Sequence, residues 1–84
     1  MPCFVYRCAN RAETFVYLRE KDDFERIPES LRDGLGALSL VMQLDLDARD
    51  RLAREDIEVV RENLRRVGIH IQFPPDFAAL HAHG

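Results

Sequence analysis

The sequence predicts an α/β/α sandwich around a small, mostly antiparallel four-stranded sheet. Three observations lead there. Two strand-like runs near the N-terminus are apolar on both faces, as in the middle of a sheet covered on both sides. A strongly amphipathic helical pattern lies between residues 57 and 67. The predicted elements follow the order ββαβααβ plus a short C-terminal helical turn, which supplies helices for both faces.

The first strand is Pro2 to Cys8, where Cys3, Phe4, Val5 and Tyr6 are apolar on both sides. The second is Thr14 to Leu18, again two-sided through Phe15, Val16, Tyr17 and Leu18. Ala9, Asn10, Arg11 and Ala12 suit the hairpin loop between them, with Asn10 able to adopt a left-handed conformation. Lys21 to Glu29 is charged and irregular and leads to Pro28, a residue preorganised for the first helical position. A short helix then runs to about Leu35, stopped by Gly34 and Gly36.

Leu38 to Leu44 alternates as a third strand, with Leu38, Leu40, Met42 and Leu44 facing one way and Ser39, Val41 and Gln43 the other. Asp47 caps the next helical turn. Ile57, Val60, Leu64 and Val67 share one helical stripe, and Val59 points away from it. Leu52 falls well off the stripe, which calls for a break near Ala53 to Glu55 and so a short helix before a long one. Gly68 ends the long helix as a left-handed cap. In the fourth strand, Ile69 to Phe73, the residues Ile69, Ile71 and Phe73 point inward and His70 and Gln72 outward. Pro74 and Pro75 stop it, and Asp76 caps a short C-terminal helix.

Eighty-four residues make a single domain, 1–84, with a thin core. The chain is 46% hydrophobic and 32% charged, too apolar for a disordered segment. Its formal charge of −3, from 12 basic and 15 acidic residues, weighs against binding nucleic acid through overall charge. No run approaches the length of a membrane helix and no secretion signal is present, so a cytoplasmic location is expected. Cys3 and Cys8 lie on opposite faces of one strand, roughly 16–17 Å apart, against a disulfide limit near 7 Å. Both are therefore expected as free thiols, consistent with a reducing compartment.

Catalytic and metal constellations are weak. Asp22, Asp23, Glu25 and Glu29 place four carboxylates close together, but no glycine lets the backbone wrap an ion. Asp23 capping a turn, with Lys21 and Arg26 as neutralising partners, accounts for this stretch. His70, His81, His83, Cys3 and Cys8 have no zinc-type spacing, so neither metal nor cofactor is expected. Neither Ser30 nor Ser39 lies in a nucleophile motif, and there is no phosphate-binding glycine loop. Arg54, Arg61 and Arg65 fall in a narrow band on the long helix. Local pairs neutralise them at helical spacing: Arg54 with Glu58, Glu58 with Arg61, and Glu62 with Arg65 or Arg66.

Several motifs, taken in order and spacing, resemble the YcgL family over nearly the whole chain: Tyr6-Arg7, Thr14-Phe15-Val16-Tyr17, Lys21-Asp22-Asp23-Phe24, Arg26-Ile27-Pro28-Glu29, Leu35-Gly36 and Gln72-Phe73-Pro74-Pro75. The resemblance implies a compact bacterial α/β/α sandwich and brings no particular reaction with it. Some members of that family are encoded near an RNA-processing exonuclease, which implies a link to RNA. The chain departs from the family pattern at Asn10, Leu35 and Asp76.

The leading expectation is a non-catalytic binding or adaptor domain with a protein partner and no membrane association. Its contact surface would join Arg7 and Arg11 near the hairpin to Lys21, Asp22 and Asp23. The alternative is an RNA-associated protein that uses Arg54, Arg61 and Arg65. A small hydrolase with carboxylates at a subunit cleft ranks third.

Overall fold

The computed structural model describes residues 1–52 and 54–74. Four strands, β1 (Pro2–Cys8), β2 (Phe15–Leu18), β3 (Leu38–Asp45) and β4 (Ile69–Gln72), form one sheet in the order β3-β1-β2-β4. Every pairing is antiparallel. The two-sided strands β1 and β2 take the centre, where both faces are covered.

Among the described residues each face carries one helix. Cys3, Val5, Tyr17 and Leu44 pack with Ile57, Val60 and Leu64 of α2 (Ile57–Val67) and with Leu46. On the opposite face Tyr6, Cys8, Val16 and Leu18 pack with Ile27 and with Leu35 of α1 (Glu29–Leu35). The sheet separates these two apolar clusters, so each face gains its own hydrophobic stabilisation. Cys3 and Cys8 are both free and buried, one in each cluster.

Local chemistry sets the helix ends. Asp56, which the sequence reading overlooked, caps α2 by accepting from the Glu58 and Val59 amides at 2.9 and 3.4 Å. Gly68 ends the helix at φ 79°, its amide donating to the Asn63 and Leu64 carbonyls. Gly36 follows α1 at φ 73°, whereas Gly34 lies within the helix and does not stop it. A Cβ at Gly36 would come within 2.6 Å of the Asn10 side chain, so this glycine answers both a positive φ and a close approach.

Several expectations need correction. The hairpin loop spans residues 9–14, and Glu13 rather than Asn10 takes the positive φ. The residue that caps the turn after β3 is Asp45, whose carboxylate accepts from the Asp47 amide; the turn itself is a 3-10 turn at Leu46–Ala48. No helix spans the described residues between that turn and Ile57. Ala53, the C-terminal helix at Asp76, and His81 and His83 lie outside the described residues.

The largest difference is in β3. Val5 pairs with Met42 but Tyr6 pairs with Leu40, so Val41 is an extra residue in a β-bulge. Leu38 and Leu40 therefore share the α1 face with Cys8 and Tyr6, whereas Met42 and Leu44 share the α2 face with Val5 and Cys3. Unbroken alternation had placed all four on one side. In α2, Val67 lies 53% exposed beyond the end of the buried stripe, while Val59 faces solvent as expected. At the end of β4, Gln72 is buried and Phe73, which follows the strand, is exposed, the reverse of the sequence expectation.

Candidate functional site

The hairpin loop docks on the C-terminal end of α1. The Ala9 amide donates to the Ala37 carbonyl at 2.9 Å, and the Asn10 amide to the Leu35 carbonyl at 3.0 Å. Beside this junction an open groove of about 640 Å³ runs between the loop, α1 and the end of β4. Arg11, Ser30, Leu31, Leu35, Phe73 and Pro74 are among its lining residues. The guanidinium of Arg11 lies against Gly34, its Nη2 about 3.6 Å from where a Cβ would stand. Among the described residues Arg11 forms no ion pair. Leu31 and Phe73 are both exposed, so the groove offers an apolar bed with one cation at its edge.

The surface expected from sequence is only partly assembled. Arg11 lies at the groove, and the exposed Arg7 lies at the same end of the sheet, paired in register with Phe15. Lys21, Asp22 and Asp23 follow Leu18, which pairs with Phe4, and so start from the other end of the hairpin. Three residues of strand, about 10 Å, separate the two ends. Asp22 has a local task. The Tyr6 hydroxyl donates to its carboxylate at 3.0 Å and accepts from its amide at 2.7 Å, holding the turn at φ 62°. The Asp23 carboxylate accepts from Arg26 Nε at 3.0 Å and does not cap the following 3-10 turn. No group of three potential metal-ligating side chains occurs among the described residues.

The arginine row is not continuous on one helix. Arg54 precedes α2 and lies 3.6 Å from Glu13 rather than pairing with Glu58. Arg61 bonds Glu58 and the Leu46 carbonyl, and also donates to the Arg49 carbonyl at 3.1 Å, tying the loop after β3 to α2. Arg65 pairs with Glu62 at 2.6 Å, as its spacing predicts.

The sequence reading missed one polar cluster. His70 Nε2–H donates to Glu55 at 2.7 Å, and the Asn63 side-chain Nδ2 donates to Nδ1 at 2.9 Å. The imidazole meets the Tyr17 ring edge-on at a centroid separation of 5.6 Å, and the Tyr17 hydroxyl donates to Gln72 Oε1 at 2.7 Å. A catalytic histidine needs one nitrogen free for substrate once a carboxylate orients the other. Here both nitrogens are taken, so the cluster is built to stabilise the fold. Burial raises the Tyr17 hydroxyl pKa, with the Glu55 charge adding to it. Burial likewise pushes Cys3 up to about 11 and raises Cys8, so neither thiol is an activated nucleophile.

These features define a small α/β protein with an antiparallel sheet, a helix on each face and an open groove at the hairpin end. A family model described as the YcgL domain matches residues 3–75. A YcgL domain-containing protein of Serratia proteamaculans is 44% identical over 75 residues, covering 89% of this chain and 83% of that protein. One of Cronobacter sakazakii is also 44% identical, with 82% of its length covered. Protein YcgL of Escherichia fergusonii shows the same identity, with 77% covered. The chain belongs to the YcgL family. No helix among the described residues is long and apolar enough to cross a membrane.

Proposed function

We propose that the domain is a non-catalytic binding module that receives an acidic, partly apolar segment of a protein partner in the groove beside α1. The observation that carries this reading is Arg11: a guanidinium without an ion pair among the described residues, at the edge of a groove lined by Leu31, Leu35 and Phe73. A carboxylate on the incoming segment would form a charge-assisted, two-pronged hydrogen bond with that guanidinium, while apolar side chains cover Leu31. Ser30 and Asn10 add polar groups along the rim. Arg7 shares this end of the sheet but lies on the α2 face with Phe15, away from the groove, and Lys21, Asp22 and Asp23 belong to a separate turn. An RNA-contact role for Arg54, Arg61 and Arg65 lacks comparable support, because each guanidinium already meets a carboxylate.

The test is a nuclear magnetic resonance titration with a peptide that alternates leucine and glutamate. Shift changes are expected at residues 10–14 and 30–35, with affinity weakened about tenfold or more by Arg11→Glu. Changes that map elsewhere, or an affinity indifferent to Arg11→Glu, would refute the reading.

A further inference from the structure

We infer that β3 is the surface through which two copies of this chain pair, edge to edge and antiparallel, into a continuous eight-stranded sheet. The two edges of the sheet differ sharply. β4 has four residues and runs into Phe73-Pro74, a short edge closed by a residue that cannot donate to a ladder. β3 has eight residues, and from Leu38 to Leu44 it carries neither a charge nor a proline, two of the usual guards of a free edge, its one irregularity being the bulge at Val41. In its middle Leu40, Val41 and Met42 are 44%, 46% and 50% exposed. Three consecutive half-exposed apolar side chains on an open edge are a template for pairing.

The bulge identifies the occupant. Val41 lines the same depression as Val5, Met42 and Leu44, so it lies on the α2 face. Residues 38 to 45 therefore alternate from the α1 face to the α2 face as far as Val41, repeat the α2 face at Met42, and alternate back. That order reads the same in both directions. An antiparallel partner keeps each cross-strand pair on one face, and a two-fold axis between Val41 and Met42 meets this at every position of β3. It sets Val41 against Met42, Leu40 against Gln43, Ser39 against Leu44 and Leu38 against Asp45 of the second copy. Registers moved by one residue in either direction put most pairs on opposite faces. No like charges meet, and the central Val41–Met42 pair occurs twice, as a closed two-fold interface requires. The bulge thus leaves this as the one self-register that keeps every pair on a common face along the full length of β3, which an unbroken alternating strand of eight would not do about this axis. The interface is small, so association is expected to be concentration-dependent.

Sedimentation velocity from about 10 μM to about 1 mM, the range where such a modest interface associates, tests this. The wild-type mass is expected to rise from the monomer value of 9.8 kDa toward twice that. Val41→Lys should hold it at the monomer throughout, while Val59→Lys, a similarly exposed position on α2, should dimerise like wild type. Circular dichroism checks that both variants are folded. Independently of any variant, deuterium exchange across 38–45 should slow as protein concentration rises, with 57–67 unchanged. A wild-type chain that stays monomeric at about 1 mM, a dimer indifferent to Val41→Lys, or exchange in β3 that ignores concentration would each overturn the inference.

Discussion

The hydrogen bond between Tyr17 and Gln72 links two residues that are diagonal neighbours across β2 and β4, on the face covered by α2. Both side chains are buried, and the O···O distance is 2.7 Å. Tyr17→Phe removes only the hydroxyl and leaves the ring against His70, but it strips Gln72 Oε1 of its donor. Leaving a buried acceptor unpaired costs about 1–3 kcal/mol. Gln72 also borders the depression beside Val41, where water can approach, so the lower half of that range is expected. Gln72→Leu should cost a similar amount by orphaning the hydroxyl. The double variant removes both polar groups together and should lose clearly less than the sum, with a coupling of about 1 kcal/mol or more. Urea unfolding of the four proteins at neutral pH measures this directly. Strict additivity would mean that the bond contributes nothing and that Gln72 is buried for its stem alone.

Two further outcomes follow from burial. Leu64→Ala empties a fully buried site in the α2 cluster and should cost about 2–5 kcal/mol, whereas Val67→Ala, in the same predicted stripe but exposed, should stay within about 0.5 kcal/mol in the same urea assay. The Cys3 thiol holds its proton more tightly in the folded chain, about 11 against an ordinary 9.0, so folded protein binds more protons than unfolded between these values. Stability from this group is complete below about pH 9 and declines as pH rises toward 11, by at most about 1.4 kcal/mol per unit. Cys3→Ala should flatten that decline in urea midpoints taken across the window. Part of it should remain, because burial also raises Cys8, Tyr6 and Tyr17.

The elements legible in the sequence are those whose burial leaves a periodic trace. The two-sided runs at Cys3–Tyr6 and Phe15–Leu18 pointed to central strands, and Ile57, Val60 and Leu64 marked the inner face of α2. The β3 bulge left no such trace, because one inserted residue in an apolar run looks like continued alternation. Gln72 and His70 were misplaced for a related reason. Even on the edge strand β4 one face is covered by α2, so Gln72 and His70 turn inward to partners that only the tertiary fold supplies: Tyr17 on β2 for Gln72, and Glu55 and Asn63 for His70. Arg61 looked like a surface charge because helical spacing offers Glu58, while the Leu46 and Arg49 carbonyls come from a distant loop. Of the groove, Arg11 alone was singled out, since its walls come from three separate stretches of chain.

The helix that forms one wall of that groove is lightly attached. α1 is seven residues long and buries a single side chain, Leu35, whereas α2 buries three. Short helices owe their persistence to tertiary contacts rather than to their own hydrogen bonds. α1 should therefore visit open states far more often than α2 through sub-global fluctuation. A segment bound along Leu31 and Arg11 would hold the helix in its closed arrangement, so part of the binding energy is spent on stilling it. If the groove binds as proposed, its affinity would be set partly by how often its own wall is in place, and α1 would act as a thermodynamic throttle as well as a surface.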